Sequence, residues 1–198
     1  MDRRIVLATG NAGKLKEIKD IFSDVNVDIA AQSEFDVPEA IEDGLSFVEN
    51  AIIKARNAAA YTGLAALSDD SGIEVDALNG EPGIHSARYA GDDESNIKRL
   101  LRELDGVPEG RRTARFQCVM VYIRHANDPV PIITQGVWEG KILPDEQGEG
   151  GFGYDPVFYV PERGCSAAEL SAEDKNSLSH RGKALRQMLV LLAANYNT

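Results

Sequence analysis

The stretch Ile5-Val6-Leu7-Ala8-Thr9-Gly10-Asn11-Ala12-Gly13-Lys14 decides how the fold begins, because an apolar run leads directly into a glycine-containing turn. The apolar run predicts a buried strand, and the apolar spacing over residues 13–22 predicts a helix. The two glycines permit a tight turn with uncovered backbone N–H groups, and a helix N-terminus carries partial positive charge. Lys14 adds a full positive charge at the same place. The segment therefore predicts a strand-turn-helix that is able to hold an anion.

The spacing of this turn excludes the two common phosphate-binding patterns. A P-loop requires four residues between its glycines and a Ser or Thr after the lysine, whereas Leu15 follows Lys14 here. A dinucleotide fingerprint requires three ordered glycines, which the segment does not have. An ordinary strand-to-helix connection therefore remains an open alternative to a ligand site.

Composition and charge are those of a globular chain that binds no nucleic acid polymer. The 198 residues are 43% hydrophobic and 27% charged, which is enough for one domain, predicted over residues 1–198. The net charge of −11 argues against neutralisation of many phosphates along a nucleic acid. A small anionic ligand remains compatible, given local basic residues and a divalent cation.

Cysteine usage and hydropathy predict a cytoplasmic protein that is not inserted in a membrane. Cys118 and Cys165 have no C-x-x-C spacing, so both thiols are expected to be reduced. No apolar run approaches the ~20 residues of a membrane span, and the N-terminal apolar run is too short for a signal peptide.

The remaining pattern alternates strands and helices, which predicts one mixed α/β domain. Further strands are predicted at 27–31, 64–67, 73–75, 115–124 and 132–141, and helices at 46–61, 93–104 and 166–195. The clearest helix follows Ser46, a predicted N-cap with Glu49 three residues on, and Gly63 is its predicted stop. The strands at 115–124 and 132–141 are expected to run antiparallel around a turn at Asp128-Pro129.

Two acidic segments suggest a metal site. Asp69-Asp70-Ser71-Gly72 is predicted to form a loop where an apolar strand ends, and Glu42-Asp43-Gly44 precedes the long helix. Hard oxygen ligands on such loops suit Mg²⁺, which usually binds through one or two carboxylates together with substrate phosphates. The alternative is a simple turn, because Asp, Ser and Gly all favour turns.

Two further segments are candidate ligand contacts. The run over 148–156 is rich in glycine, and Phe152 and Tyr154 within it offer aromatic faces to a flat base, unless they belong to the core. Lys175 and His180-Arg181 concentrate donors for a phosphate or a base carbonyl, unless they form only a solvated helix start.

Taken together and in order, these motifs resemble one family. They are Thr9-Gly10-Asn11 with Lys14, Ser46-Phe47-Val48-Glu49-Asn50-Ala51 with Lys54-Ala55, Asp69-Asp70-Ser71-Gly72, Pro82-Gly83 with Ser86-Ala87-Arg88-Tyr89, Gly151-Phe152-Gly153-Tyr154-Asp155-Pro156, and Ser179-His180-Arg181. The chain is similar in these motifs to the Ham1-type inosine triphosphate pyrophosphatases, from residue 5 to about residue 190. His85 is a departure, since the family pattern favours an aromatic residue there.

The resemblance implies a fold and an activity. It implies an elongated α/β fold with a mixed sheet flanked by helices, and two lobes around a central nucleotide-binding cleft. It also implies a homodimer and Mg²⁺-dependent hydrolysis of the purine nucleoside triphosphates ITP, dITP and XTP to the monophosphate and pyrophosphate. Such an enzyme removes deaminated purines from the nucleotide pool.

The resemblance also implies residue roles. Substrate contacts would come from Thr9, Gly10, Asn11, Ala12, Gly13, Lys14, Ser71 and Lys175, with the base contacted by Phe152, Gly153, Tyr154, Asp155, His180 and Arg181. Glu42 and Asp70 match the metal site, and Asp70 also matches the general base, which Asp69 would assist.

Two other functions remain open from the sequence. One is a Maf-like pyrophosphatase, which has a related fold and acts on pyrimidine or modified nucleotides. The other is a non-catalytic nucleotide sensor, which would need no acidic metal site, so Glu42, Asp69 and Asp70 argue against it.

Overall fold

A computed structural model describes residues 4–22 and 27–196, and one mixed sheet organises them. The strands are β1 (Arg4–Leu7), β2 (Asp28–Ala31), β3 (Ala65–Val75), β4 (Thr113–Ile123), β5 (Ile132–Ile142), β6 (Phe158–Val160) and β7 (Cys165–Ser166). The helices are α1 (Ala12–Phe22), α2 (Phe47–Thr62), α3 (Asp93–Glu103), α4 (Ala172–Leu178) and α5 (His180–Tyr196).

The sheet has seven strands in the order β2-β1-β3-β4-β5-β6-β7. β1 is parallel to β2 and β3, whereas β6 is antiparallel to β5 and β7. The predicted mixed α/β class is therefore confirmed. No helix in the described part of the chain has both the length and the apolar character needed to traverse a bilayer.

The described residues divide into two compact units. The first contains the chain up to Asp70, Cys118–Gly136 and the chain from Arg181 onward, and the second contains Ser71–Gln117 and Val137–His180. Strands β3, β4 and β5 contribute residues to both units. Two units agree with the two lobes that the family resemblance implies, and the single domain over residues 1–198 stays a prediction.

The first unit has an apolar core on β1 and α2. Ile5 and Leu7 of β1 are buried together with Ile18 of α1. Val6, which points the other way along the strand, packs with a row of small side chains from α2, namely Ala51, Ala55, Ala58 and Ala59. Alternate residues of β1 therefore pack into two different clusters. These contacts hold in place the strand that leads into the turn.

The second unit has a core rich in aromatic residues. The ring centroid of Phe158 lies 4.6 Å from that of Phe116 and 5.1 Å from that of Trp138. Ile97 and Leu100 of α3 are buried in the same cluster. Aromatic pairs at these separations stabilise a core beyond their buried area.

The long helix α2 forms as predicted, with both of its ends capped. Ser46 is extended (φ −143°) and its hydroxyl accepts a hydrogen bond from the Glu49 N–H. Gly63 is in the left-handed region (φ 70°), and its N–H bonds to the Ala59 carbonyl. Because Gly has no Cβ, it adopts this closing conformation without strain.

Two sequence predictions of secondary structure are wrong. The loop predicted at Asp69-Asp70-Ser71-Gly72 is instead the middle of β3, because ion pairs within the first unit compensate the burial of the carboxylates of Asp69 and Asp70 and remove the advantage of a turn. The helical stretch predicted over 166–195 is interrupted. Ser171 caps the start of α4, and Ser179, in an extended conformation, ends it before α5.

Candidate functional site

The turn between β1 and α1 is held by its own polar side chains. Asn11 Oδ1 accepts a hydrogen bond from the Lys14 N–H at 2.9 Å, which caps the start of α1. Thr9 Oγ1 accepts one from the Asn11 N–H at 3.2 Å. Gly10, Asn11 and Ala12 are exposed, and Gly13 and Lys14 are half-buried. The turn therefore presents exposed backbone at a helix N-terminus, which favours an anion.

Asp69 is the buried acceptor for two basic side chains. Its Oδ2 lies 3.1 Å from Lys14 Nζ and 3.3 Å from Arg181 Nε, and its side chain is fully buried. Arg181 also donates to Glu17 of α1. Burial alone would raise the pKa of Asp69, but Lys14 and Arg181 hold it well below its usual range. Asp69 is therefore a fixed negative charge that orients these two cations.

Asp70 and Glu42 share the ammonium group of Lys54. Lys54 Nζ lies 2.8 Å from Asp70 Oδ1 and 2.9 Å from Glu42 Oε2. Burial raises the pKa of Asp70, and the neighbouring Lys54 offsets this only in part. Burial lowers the pKa of Lys54, but the carboxylates of Asp70 and Asp69 more than compensate and raise it.

The loop that carries Glu42 is fixed to the start of α2. The Gly44 N–H donates to Asn50 Oδ1 at 2.9 Å. A Cβ at Gly44 would lie 2.7 Å from that same oxygen, so this close approach requires glycine. The loop thus holds Glu42 in a defined place beside Lys54.

Glu42 and Asp70 fit a metal ion that needs few protein ligands. Asp70 Oδ2 is buried and has no hydrogen-bond partner among the described residues, so it is available as a ligand. The described residues contain no group of three or more His, Cys, Asp or Glu side chains suited to a metal. Two carboxylates suffice for Mg²⁺ when substrate phosphates and water complete its coordination, whereas a dedicated zinc site needs more protein ligands.

In the second unit, Asp155 connects a glycine-rich loop to Lys175. Asp155 Oδ2 accepts a hydrogen bond from the Phe152 N–H at 2.8 Å and lies 2.5 Å from Lys175 Nζ. The same Nζ lies 4.6 Å from the centroid of the Phe152 ring, within the range of a cation–π contact. A Cβ on Gly151 (φ +76°) would come within 2.2 Å of Asp155 Oδ2, so the loop requires glycine there.

Tyr154 and His180 contribute their rings to the core of the second unit. Tyr154 is buried, and its hydroxyl donates to the Ser86 carbonyl at 2.9 Å. Burial also raises the pKa of Tyr154 above its usual value. The His180 ring stacks on Phe116 with centroids 4.8 Å apart. The ring of Tyr154 therefore belongs to the core, which is one of the two possibilities that the sequence leaves open. Phe152, in contrast, is only half-buried.

The structure thus brings the sequence candidates into two separate sets. In the first unit, Lys14, Asp69 and Arg181 form one set with the neighbouring Glu42 and Asp70, since Lys54 and Lys14 both act on the aspartate pair. In the second unit, the set contains Phe152, Asp155 and Lys175. Ser71 is half-buried in β3, and Thr9 bonds within its own turn.

Two members of the first set received no role from the sequence, although Lys54 stands in one of the motifs that carry the family resemblance. Lys54 lies among the small residues on the inner side of α2, and a lysine at that place in an alanine-rich helix is the pattern that indicates it. Glu17 is one of several alternating charges on α1, and nothing in the sequence separates it from the others.

The fold and these sets define an α/β protein suited to a phosphorylated ligand, and comparison with known proteins narrows the class. A sequence model of the Ham1 family matches residues 5–191, so the chain belongs to the Ham1 family.

Its relatives match it over nearly their whole length. A dITP/XTP pyrophosphatase from Thioalkalivibrio sulfidiphilus is 60% identical over 189 residues, covering 94% of this chain and 96% of that protein. One from Vibrio vulnificus is 58% identical over 193 residues, covering 96% of each. Among solved structures, a HAM1 protein from Coxiella burnetii superposes with a TM-score of 0.89 at 47% identity, covering 96% of this chain and 98% of that chain.

Proposed function

We propose that this protein is a nucleoside triphosphate pyrophosphatase that hydrolyses dITP, ITP and XTP to the monophosphate and pyrophosphate. The observation that carries the proposal is the near-complete match to proteins named dITP/XTP pyrophosphatase, two of which are 58% and 60% identical to this chain. The buried carboxylate and ammonium groups of the first unit supply chemistry that suits it. The protein would thereby remove deaminated purines from the nucleotide pool.

The first unit is assigned to the triphosphate. The turn over residues 10–13, which is exposed at Gly10, Asn11 and Ala12, and the ammonium of Lys14 offer donors and positive charge to phosphate oxygens. Asp69 keeps Lys14 oriented in the absence of substrate. Glu42 and Asp70 would hold Mg²⁺, which offsets phosphate charge and makes the phosphorus more open to attack by water. Lys54, already between these carboxylates, provides a further positive charge.

Asp70 is assigned as the general base. Its Oδ1 is held by Lys54, while its buried Oδ2 has no hydrogen-bond partner in the described part of the chain. A carboxylate oxygen in this state is suited to accept a proton from a water molecule and to orient it. No nucleophilic side chain is needed, because water attacks the phosphorus directly.

The base is assigned to the glycine-rich loop over residues 152–155 and to His180 and Arg181. Phe152 offers an aromatic face, and Gly153, Tyr154, Asp155 and His180 complete the proposed base contacts, with Ser71 and Lys175 also contacting the nucleotide. Hypoxanthine and xanthine present an O6 acceptor and an N1–H donor, whereas adenine presents the opposite pattern. Donors placed at O6, proposed on His180 and Arg181, would therefore disfavour adenine by leaving buried groups unpaired.

The testing experiment is pyrophosphate release by the purified protein with Mg²⁺, measured on ITP, dITP, XTP, GTP, ATP and dTTP and repeated with EDTA. We expect metal-dependent release mainly from ITP, dITP and XTP. Release mainly from dTTP would move the protein to the Maf-like alternative. No release from any substrate, together with retained nucleotide binding, would indicate a sensor.

The cellular location and the oligomeric state of the protein are proposed as well. We propose that the protein acts in the cytoplasm, where reduced cysteines and nucleoside triphosphates both occur. We also propose that it is a homodimer that binds neither a nucleic acid polymer nor a membrane. Light scattering during size-exclusion chromatography would measure the mass directly, against 21.5 kDa for one chain.

A further inference from the structure

One side chain of α3 holds the glycine-rich loop at the residue after Phe152. Asp93 Oδ2 accepts a hydrogen bond from the Gly153 N–H at 2.8 Å. Gly153 itself is in the left-handed region (φ +61°) and has no side chain to hold it, so this backbone contact helps to determine where the loop turns. Neither the motifs nor the proposed residue roles include Asp93.

Phe152 is consequently fixed from both sides by carboxylates. Its own N–H donates to Asp155, and the N–H of the next residue donates to Asp93. Two consecutive peptide units are thereby oriented, and the direction of the Phe152 side chain follows from them. Bonds from backbone N–H groups to carboxylates are stronger than neutral ones because the acceptor is ionised.

The helix that carries Asp93 is itself fastened to the rest of the second unit. Asn96, one turn further along α3, is buried and donates to the Ser86 carbonyl at 3.3 Å. Tyr154 donates to that same carbonyl at 2.9 Å. The chain 152–154, the Ser86 carbonyl and α3 therefore form a closed ring of hydrogen bonds, in which Asp93 makes the exposed link.

We propose that Asp93 is a positioning residue for base recognition: it holds the Gly153 peptide so that the Phe152 ring is presented to the base before substrate arrives. This inference rests on the proposed function, since it assigns Phe152 to the base. Asp93 takes no part in the hydrolysis itself. Its removal therefore weakens binding of the substrate and of the transition state equally, which raises KM and leaves kcat nearly unchanged.

The test compares wild type with Asp93→Ala, Asp93→Asn and Glu94→Ala. Asparagine keeps an oxygen that can accept the hydrogen bond. Glu94→Ala removes a neighbouring negative charge from the first turn of α3 and leaves the loop contact intact, since Glu94 pairs with Lys98. Asp92, the N-cap of α3, is unchanged in every variant, so the helix start is preserved.

Two readouts are measured on each protein: hydrogen exchange at the Gly153 amide without nucleotide, and steady-state kinetics with ITP. For Asp93→Ala we expect about 10-fold faster exchange and a KM about 5- to 10-fold higher, with kcat changed less than about 2-fold. Glu94→Ala should stay within about 2-fold of wild type in both readouts, and Asp93→Asn, whose neutral oxygen accepts a weaker hydrogen bond, should lie between wild type and Asp93→Ala.

The outcomes separate this inference from the proposed function. If exchange at Gly153 is the same in all four proteins, or if Asp93→Ala has the KM of Glu94→Ala, the positioning role is overturned. If wild type releases pyrophosphate from none of the triphosphates, the proposed function is overturned, and the exchange rates still decide whether Asp93 holds the loop.

Discussion

At the scale of single residues, the adjacent carboxylates of Asp69 and Asp70 differ because their partners differ. Asp69 faces two cations and its pKa lies below the usual range, whereas burial dominates at Asp70 and raises its pKa. Opposite shifts in neighbouring carboxyl groups indicate different roles. Asp69 is suited to a permanent charge and Asp70 to exchange a proton.

Asp70→Asn should lower kcat by about 100-fold while nucleotide binding persists, because the amide cannot accept a proton from water. Turnover on ITP and the dissociation constant of a non-hydrolysable analogue are the two measurements. Asp43→Asn is the matched control, since it removes the same charge from an exposed position beside Glu42. Near-normal turnover in Asp70→Asn would exclude Asp70 as the base.

Arg181→Ala should lower the free energy of unfolding by about 3 kcal/mol, because the buried Asp69 and the half-buried Glu17 lose a partner that lies between them. Arg186→Ala, at an exposed position on the same helix, is the control and should change stability little. Arg181 is also proposed to recognise the base. The ratio of kcat/KM for ITP to kcat/KM for ATP, measured on the folded variant, tests that role. An unchanged ratio would remove Arg181 from base recognition and leave it a structural role.

At the scale of elements, local patterns determine some segments and tertiary contacts determine others. Helix α2 was predictable because Ser46, Gly63 and the regular spacing of its alanines all act within the helix. Strand β3 was not predictable across Asp69 and Asp70, since the cations that compensate their burial come from distant parts of the sequence. The role of Lys54 was not predictable for the same reason, since its two partners lie 12 and 16 residues away in the sequence.

The connection between β4 and β5 should be sensitive to pH through Asp128. Its buried carboxylate accepts hydrogen bonds from the Arg124 side chain and from the N–H groups of Arg124 and Val130. These bonds hold the pKa of Asp128 well below its usual range, against the opposing effect of burial. The resulting stability is present above the pKa of the unfolded chain, about 3.9, and is lost as the pH falls through the folded pKa.

Asp128→Ala is therefore expected to lower the free energy of unfolding by about 1–2 kcal/mol at pH 7, where the carboxylate is ionised. The difference in the free energy of unfolding between wild type and Asp128→Ala should become smaller below about pH 4. Asn127→Ala, at an exposed position in the same turn, should show neither effect. Urea unfolding curves from pH 7 to pH 3 provide the measurement, and a difference independent of pH would contradict the ionic origin.

At the scale of the whole molecule, each unit contains its own spectroscopic or chemical probe. Cys118 is fully buried in the first unit, and burial, reinforced by the charge of Asp69, raises the pKa of its thiol to about 12. The thiol is therefore neutral and inaccessible until that unit opens. Trp138, the one tryptophan of the sequence, is buried among the aromatic rings of the second unit.

We predict that both probes report one transition, since β3, β4 and β5 each contribute residues to both units and neither unit can lose these strands alone. In a Cys165→Ser background, the labelling of Cys118 and the fluorescence of Trp138 should change at the same urea concentration. The substitution removes the half-buried second thiol, so labelling comes from Cys118 alone. Separate midpoints would show that the units unfold independently, and would replace the single domain predicted over residues 1–198 by two.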